Sequence, residues 1–348
     1  MIPYLEIRDK YTLKTVAIVE PQECWLELSW QDIGEFEIYC RASKANLNAL
    51  QPMRYITIPN KRFVWVITSV QYTFTAGGAR MISAKGYEAK WLLTRRCVLM
   101  PTELSGTITE ALYRLVNQSL GTVAEDYRKI VGFEVDTNNL LISLTGTQAP
   151  RGNLREVISP LLKQYNCGDI VELVNGALKY RIFTGEVRTQ SVKFSQSLDN
   201  LLSSEYYLSE AEKATYAFVV AKPDDTEYGM EADNGGTGID RAEIIIESSI
   251  SKKYQDADGV DLEADDAEYI SWLSEEGYTK LAEHTPIEDI KGEIDLISSN
   301  YIFDIDFFLG DTVKVQDEYF NFYKNTRILK YTFKQDANGY GEEAEYGG

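Results

Sequence analysis

The tightest constraint in this 348-residue sequence is a hydrophobic period of two that governs its first and last thirds. Cys24, Leu26, Leu28 and Trp30 fall on one side of the run Cys24–Trp30, and Phe36, Ile38 and Cys40 alternate with Glu35, Glu37 and Tyr39. Successive side chains of a strand point to opposite faces, so this pattern predicts half-buried strands. Tyr55–Ile58 is a short β run stopped by Pro59-Asn60. Arg62–Thr75 is a long one, with Phe63, Trp65 and Ile67 on one face and Val64 and Val66 on the other. Ala76-Gly77-Gly78-Ala79 supplies a turn, and Arg80–Lys85 returns as the second strand of a hairpin. Strands of this length joined by tight turns suggest a small barrel or sandwich.

The middle of the chain changes period. Tyr87–Arg96 reads as a helix carrying Ala89, Leu92 and Leu93 inward. Thr107 with Glu110 forms a capping box, and Ile108, Ala111, Leu112, Leu115 and Val116 make the stripe of an amphipathic helix. A second helix starts at Asn153 with Leu154, Val157, Ile158, Leu161 and Leu162 inward, and Pro160 inside it predicts a kink or a break. Asn175-Gly176 between Ile170–Val174 and Leu178–Phe183 is the strongest hairpin signal in the chain.

After Gly185 the pattern returns to β, in Val192–Ser195, Tyr216–Ala221 and Ala242–Glu247, and then in the alternating runs Glu293–Ile297, Thr312–Val315 and Arg327–Phe333. Lys222–Arg241 reads as an exposed loop, Asp256–Asp266 as an acidic loop, and Asp266 as the cap of a helix running to about His284. The chain from Gln335 is Gly-rich and acidic and reads as frayed. The fold expected is mainly β with an α+β insertion: two small β-barrel domains and a smaller α/β domain. The expected division is 1–98, 99–187 and 188–335, the last interrupted by an acidic loop and helix at about 222–290, with 336–348 a flexible acidic tail.

Charge narrows the partners. The net charge is −19, yet residues 1–200 carry 23 basic and 20 acidic side chains while 201–348 carry 12 basic and 34 acidic. Phosphate contacts dominate nucleic-acid affinity, so the second part is no nucleic-acid groove. It suits solubility, a basic partner, or passage of DNA without adhesion. No stretch approaches the ~20 apolar residues of a membrane span, and the first residues lack the order of a signal peptide. A soluble protein kept in the cytoplasm until assembly is the expectation. Cys24, Cys40, Cys97 and Cys167 are never spaced as CxxC and read as reduced, buried thiols.

Chemistry has few places to reside. The single histidine, His284, stands at a predicted helix end, where a cation is favoured by the dipole. There is no HExxH, GxSxG or Walker loop. Asp304 and Asp306 flank Ile305 on a predicted strand and would share one face, the arrangement a glycosidase or muramidase uses when its two carboxylates are suitably spaced. Among 54 acidic residues such pairs arise by chance, so no catalytic, cofactor-binding or metal residue is assigned. Asp256-Ala257-Asp258-Gly259, with Asp261 and Asp265, is a poor calcium loop, because Tyr254 takes the expected first-ligand place. Arg95-Arg96 and Arg151/Arg155 are too sparse for a nucleic-acid surface and read as surface positions or interface ion pairs.

Two segments in a fixed order then carry a family likeness: Gly86-Tyr87-Glu88-Ala89-Lys90-Trp91-Leu92-Leu93-Thr94-Arg95-Arg96-Cys97-Val98, and Tyr301-Ile302-Phe303-Asp304-Ile305-Asp306-Phe307-Phe308-Leu309-Gly310-Asp311-Thr312-Val313-Lys314-Val315 followed by Arg327-Ile328. Together with Val192–Ser195, Asn200-Leu201 and Thr215–Ala221, they make the chain resemble the siphovirus tail proteins of the phage baseplate-hub or tail-tip-hub superfamily. The resemblance implies a structural virion protein: a homotrimeric hub whose two tail-tube-like barrels per chain match a hexameric tail tube. The implied partners are the tail tube protein, the distal tail protein, the tape-measure protein C-terminus and a spike or receptor-binding protein. DNA would only pass through the channel. Alternatives that the residues leave open are a tail-associated peptidoglycan hydrolase using paired carboxylates and a carbohydrate-binding receptor module served by the 23 tyrosines.

Overall fold

The computed structural model describes residues 2–347 apart from 3, 75–79, 145–146, 224–225, 257–259, 297–298, 320–321 and 338. The first β module holds β1 (Leu5–Arg8), β2 (Thr15–Val19), β3 (Glu23–Ser29), β4 (Glu35–Arg41), the short helix α1 (Lys44–Ala49), β5 (Tyr55–Thr57), β6 (Val64–Phe74) and β7 (Arg80–Glu88). Its strands lie in the order β2-β1-β5-β6-β7-β4-β3, all antiparallel. The period of two does what it predicts: Cys24, Leu26, Leu28, Phe36, Ile38 and Cys40 are buried in one core. Along β6 and the residue before it, Phe63, Trp65 and Ile67 enter that core while Val64 and Val66 enter a second, so this strand is covered on both sides. The expected turn at 76–79 lies outside the described residues.

The middle unit follows. Tyr87 and Glu88 still belong to β7, and only Ala89–Arg95 turns, as a 3₁₀ segment. The expected helix from Tyr87 is thus corrected: Tyr87 and Glu88 stay paired opposite Glu35, Val66 and Trp65, and ladder hydrogen bonds outweigh the local helical pattern. Then come β8 (Cys97–Val98), β9 (Thr102–Leu104), α2 (Ile108–Leu120), β10 (Phe133–Val135), β11 (Thr147–Ala149), β12 (Gly152–Asn153), α3 (Leu154–Gln164), β13 (Gly168–Val174) and β14 (Ala177–Phe183). The capping box at α2 is formed in both directions, Glu110 N–H to Thr107 and Thr107 N–H to Glu110. Helix α3 runs through Pro160 without interruption, capped by Asn153. Asn175 (φ 51°) and Gly176 (φ 82°) close the β13–β14 hairpin in the left-handed conformation such a turn requires.

The last part holds β15 (Lys193–Ser195), β16 (Glu205–Ser209), β17 (Tyr216–Ala221), β18 (Tyr228–Asp233), β19 (Glu243–Glu247), β20 (Lys253–Gln255), β21 (Asp261–Glu263), α4 (Asp266–Glu283), β22 (Ile287–Asp295), β23 (Thr312–Asp317), β24 (Phe322–Asp336) and β25 (Gly339–Gly347). Three expectations are corrected here. The stretch Lys222–Arg241 contains β18, paired along its whole length with β17. The helix cap is Asp265, whose carboxylate accepts the Glu268 N–H, and not Asp266. The tail is no frayed end: β25 lies between β24 and β22 and buries Ala344 and Tyr346.

β24 is the seam of the molecule. Its first part, through Arg327, pairs with β23; a register shift between Ile328 and Lys330 follows; its second part pairs with β3 from Lys330 to Gln335. Bulges of this kind bend a strand and re-aim it, and here the bend hands β24 from the second β module to the first. One sheet of 13 strands results, ending in β2 and β16. Its core is continuous, with Phe63 and Trp65 about the ring of Phe333 at 6.0 and 6.1 Å and Phe303 stacked on Tyr331 at 3.6 Å. A separate unit packs α4 over the sheet β18-β17-β19 and rests on the middle unit, where Gln148 and Ser251 exchange two hydrogen bonds.

Candidate assembly site

Trp30, just past the end of β3, is where three units meet. It is 2% exposed. Its N–H donates to Leu329 O of β24 at 2.7 Å, and its carbonyl accepts the Asp169 N–H of β13 at 3.3 Å. The indole lies edge-on to Phe183 at 4.9 Å and under the Arg327 guanidinium. Two glycines make room for it: a Cβ at Gly168 would stand 2.1 Å from the ring, and one at Gly310 2.2 Å. Gly310 also has φ +80°, which an L side chain rarely adopts. Asp311 completes the turn, accepting Glu186 N–H at 2.7 Å and Phe308 N–H at 2.9 Å. Burial raises its carboxyl above the ordinary range against these donors and Arg188. The Leu-Gly-Asp segment is therefore a wedge that seats the second module on the first.

Beneath Trp30 lies a closed charge cluster. Lys90 sits in the 3₁₀ segment, fully buried, with Nζ 2.9 Å from Glu88 Oε1 and 3.5 Å from Asp169 Oδ1; it donates to Ser29 O at 2.7 Å and Asp169 O at 3.1 Å. Arg155 of α3 donates to Asp169 Oδ2 and to Gln31 O. Tyr180 O–H donates to the same Asp169 oxygen at 3.0 Å. Glu88 accepts Gly34 N–H at 2.9 Å. Desolvation pushes the Glu88 carboxyl up to about 7, with Lys90 and the Gly34 N–H pulling the other way. Burial opposes the charge of Arg155, yet Asp169 beside it raises its pKa on balance. Buried charges persist only when paired and hydrogen-bonded, and this cluster ties strand, 3₁₀ segment, helix and hairpin of two units.

A second ion bridge spans all three units. Arg62, before β6, holds Glu172 of β13 at 2.5 Å and both oxygens of Asp304 at 2.6 and 2.9 Å, while Arg181 holds Glu172 at 3.1 Å. The guanidinium of Arg62 also lies over Phe308 at 5.3 Å.

These contacts decide where the sequence candidates go. Asp304 and Asp306 are not on a strand: residues 304–306 form a turn, Asp304 has φ 72°, and Asp306 accepts the Ile302 N–H at 2.7 Å. The period of two fails there because the chain doubles back, with Phe303 and Phe307 both in the core. His284 does end α4, and its Nδ1 lies 3.1 Å from Glu212 O. Arg155 is no surface residue but a buried member of the cluster, and Cys97 is exposed while the other three cysteines are buried. Burial raises the Cys24 thiol to about 12 and those of Cys40 and Cys167 to about 11. The poor calcium loop at 256–259 lies mostly outside the described residues, and among the described residues no group of carboxylates, cysteines or histidine is arranged for a metal. Sequence reasoning missed the cluster of Lys90, Glu88, Asp169 and Tyr180; its one visible signal was a lysine inside the apolar run Ala89–Leu93. A groove of about 840 Å³ lies between Met100, Arg151, Lys253 and Leu262.

Comparison with known proteins adds the following. Residues 4–347 match the model of the family described as Siphovirus ReqiPepy6 Gp37-like protein. Among solved structures, the tail protein from Neisseria meningitidis MC58 superposes with a TM-score of 0.61 at 10% identity, over 99% of this chain and 96% of that one. The 43 kDa tail protein of prophage MuSo2 from Shewanella oneidensis gives 0.59 at 14% identity, over 99% and 98%. At these identities the likeness is one of fold. No curated protein matches the sequence.

Proposed function

This chain belongs to the siphovirus ReqiPepy6 Gp37-like family, a phage tail structural protein, and from that premise we propose that it is the hub of the tail tip or baseplate. In this reading three copies join the hexameric tail tube to the distal tail or spike, in the virion after assembly in the host cytoplasm. The observation that carries it is the seam at β24. Each β module contains a long antiparallel ribbon with one register shift, β6–β7 in the first and β24–β25 in the second, and the ladder from Lys330 to Gln335 fixes the two ribbons in one sheet. A chain that presents two fixed modules of like build is suited to a trimer that meets a sixfold ring.

On this reading the tube protein docks on the β modules, the distal tail protein and the tape-measure protein C-terminus meet the hub near its channel, and the acidic 201–348 half repels passing DNA. The domain division at 1–98, 99–187 and from 188 onward, with β25 taken into the last module, belongs to the same proposal. The catalytic alternative is disfavoured because both Asp304 oxygens are held by Arg62. The test is the mass of the purified protein in solution, alone and with its tube protein. A trimer, or a monomer that becomes threefold on the tube, is the expected result; a dimer, or a chain that leaves the tube unbound, overturns the hub.

A further inference from the structure

The sheet β18-β17-β19 has two faces of opposite character. One carries Ala217, Val219 and Ala221 of β17 and Ala232 of β18, all buried, with α4 packed against this side. The other carries the alternate residues of each strand, set side by side by the register: Tyr216 beside Asp233 and Glu243, Phe218 beside Glu231 and Ile245, Val220 beside Gly229 and Glu247. No side chain grows from Gly229, and the Phe218 ring lies over it. The result is an apolar stripe on the central strand, widened by Ile245, with carboxylates along both flanks.

This stripe stays open to solvent. Ile245 is 76% exposed and Phe218 36%, and Glu231, Asp233, Glu243 and Glu247 are all exposed. A cation serves one end of the face: Arg241 lies 4.0 Å over the Tyr216 ring and pairs with Glu243 at 2.5 Å and Asp233 at 3.4 Å. Among the described residues no cation pairs with Glu231 or Glu247. An antiparallel or mixed sheet can leave one face to water, but that face is then expected to be polar; isoleucine and phenylalanine at its centre are out of keeping with that use.

We propose that this face docks a basic amphipathic segment of a partner protein, its apolar side on Phe218, Val220 and Ile245 and its lysines or arginines on the flanking carboxylates. Charge selects the occupant. A phosphate backbone is repelled, and so is the same acidic face of a second copy, each copy carrying −19. A neutral apolar partner would leave the carboxylates desolvated and unpaired at the rim. A basic segment with one apolar side satisfies both features. The inference does not depend on the trimeric reading.

The test uses the full chain and a dye-labelled synthetic helix of Leu and Lys with its leucines on one side, followed by fluorescence anisotropy. Ile245→Asp adds negative charge while removing the apolar centre; because Ile245 is largely exposed, circular dichroism should stay unchanged. The docking surface requires this variant to bind the peptide about tenfold more weakly or worse. The pair Glu231→Lys and Glu247→Lys should weaken binding by a similar factor and flatten its salt dependence. A scrambled peptide of equal charge should bind about tenfold more weakly than the amphipathic one. Unchanged or tighter binding by Ile245→Asp means that only net charge attracts the peptide, and overturns the proposal. Self-association of the wild-type chain that Ile245→Asp abolishes assigns the face to a second copy, and overturns it equally.

Discussion

Replacing Asp169 by Ala removes the one anion at which two buried cations and a buried hydroxyl converge. Arg155 loses a charge-assisted hydrogen bond and Tyr180 its acceptor, whereas Lys90 keeps Ser29 O, Asp169 O and Glu88. A buried donor left unsatisfied costs about 1–3 kcal/mol, and a buried charge that loses its partner about 3–5 kcal/mol. With part of the positive charge still neutralised by Glu88, a loss of about 4 kcal/mol follows. That is a large share of the ~5–15 kcal/mol that holds a typical domain folded. Urea unfolding followed by tryptophan fluorescence reads it directly, since Trp30 borders the cluster; the midpoint should fall by about 1 M or more. Asp126→Ala is the control, because the Asp126 side chain is 96% exposed and pairs with the neighbouring Lys129 at the surface; it should move the midpoint hardly at all. Equal midpoints for the two variants would falsify the view of Asp169 as the keystone of a closed charge network.

Three further outcomes are expected. Gly310→Ala puts a methyl group against the Trp30 ring in a left-handed conformation, and should cost about 2 kcal/mol or more, visible as a lower thermal midpoint and an altered near-ultraviolet signal from Trp30. Glu88 titrates at about 7 in the folded chain against an ordinary 4.5; the native state then binds the extra proton, so its contribution is full below 4.5 and is lost as pH rises through about 7. The fall of stability across that window should be shallower in Glu88→Gln, as denaturation at several pH values will show. Truncation after Asp336 strips β25 from between β24 and β22; two unpaired edges in a 13-stranded sheet should make the variant aggregate more than the full chain on gel filtration.

Legibility in the sequence followed how local each cause is. The strands β3, β4 and β6 and the cap of α2 are written in adjacent residues, as alternation or as Thr107 with Glu110, and the structure repeats them. β18 and β25 were unreadable because each buries little: Ala232 alone in the first, Ala344, Tyr346 and Gly347 in the second. Glycine, glutamate and aspartate fill most of the remaining places and look like loop. Asp304 deceived by standing in an alternating run that a left-handed residue interrupts. The pairing within the charge cluster lay beyond reading, since Lys90 and Asp169 are separated by 79 positions and nothing in either neighbourhood names the other. Only Lys90, a cation amid Ala89, Leu92 and Leu93, hinted that a buried partner must exist.

The placement of β24 against β3 also sets an order of events during synthesis. At the ~5–20 residues per second of translation, roughly a quarter of a minute to a minute passes between the emergence of Ser29 and that of its partner Lys330. Throughout that interval the free side of β3 is a row of unanswered amides and carbonyls, with the apolar residues Leu26, Leu28 and Trp30 still waiting for their cover. The nascent chain must therefore wait, shielded or crowded, until its own far end arrives to finish its beginning.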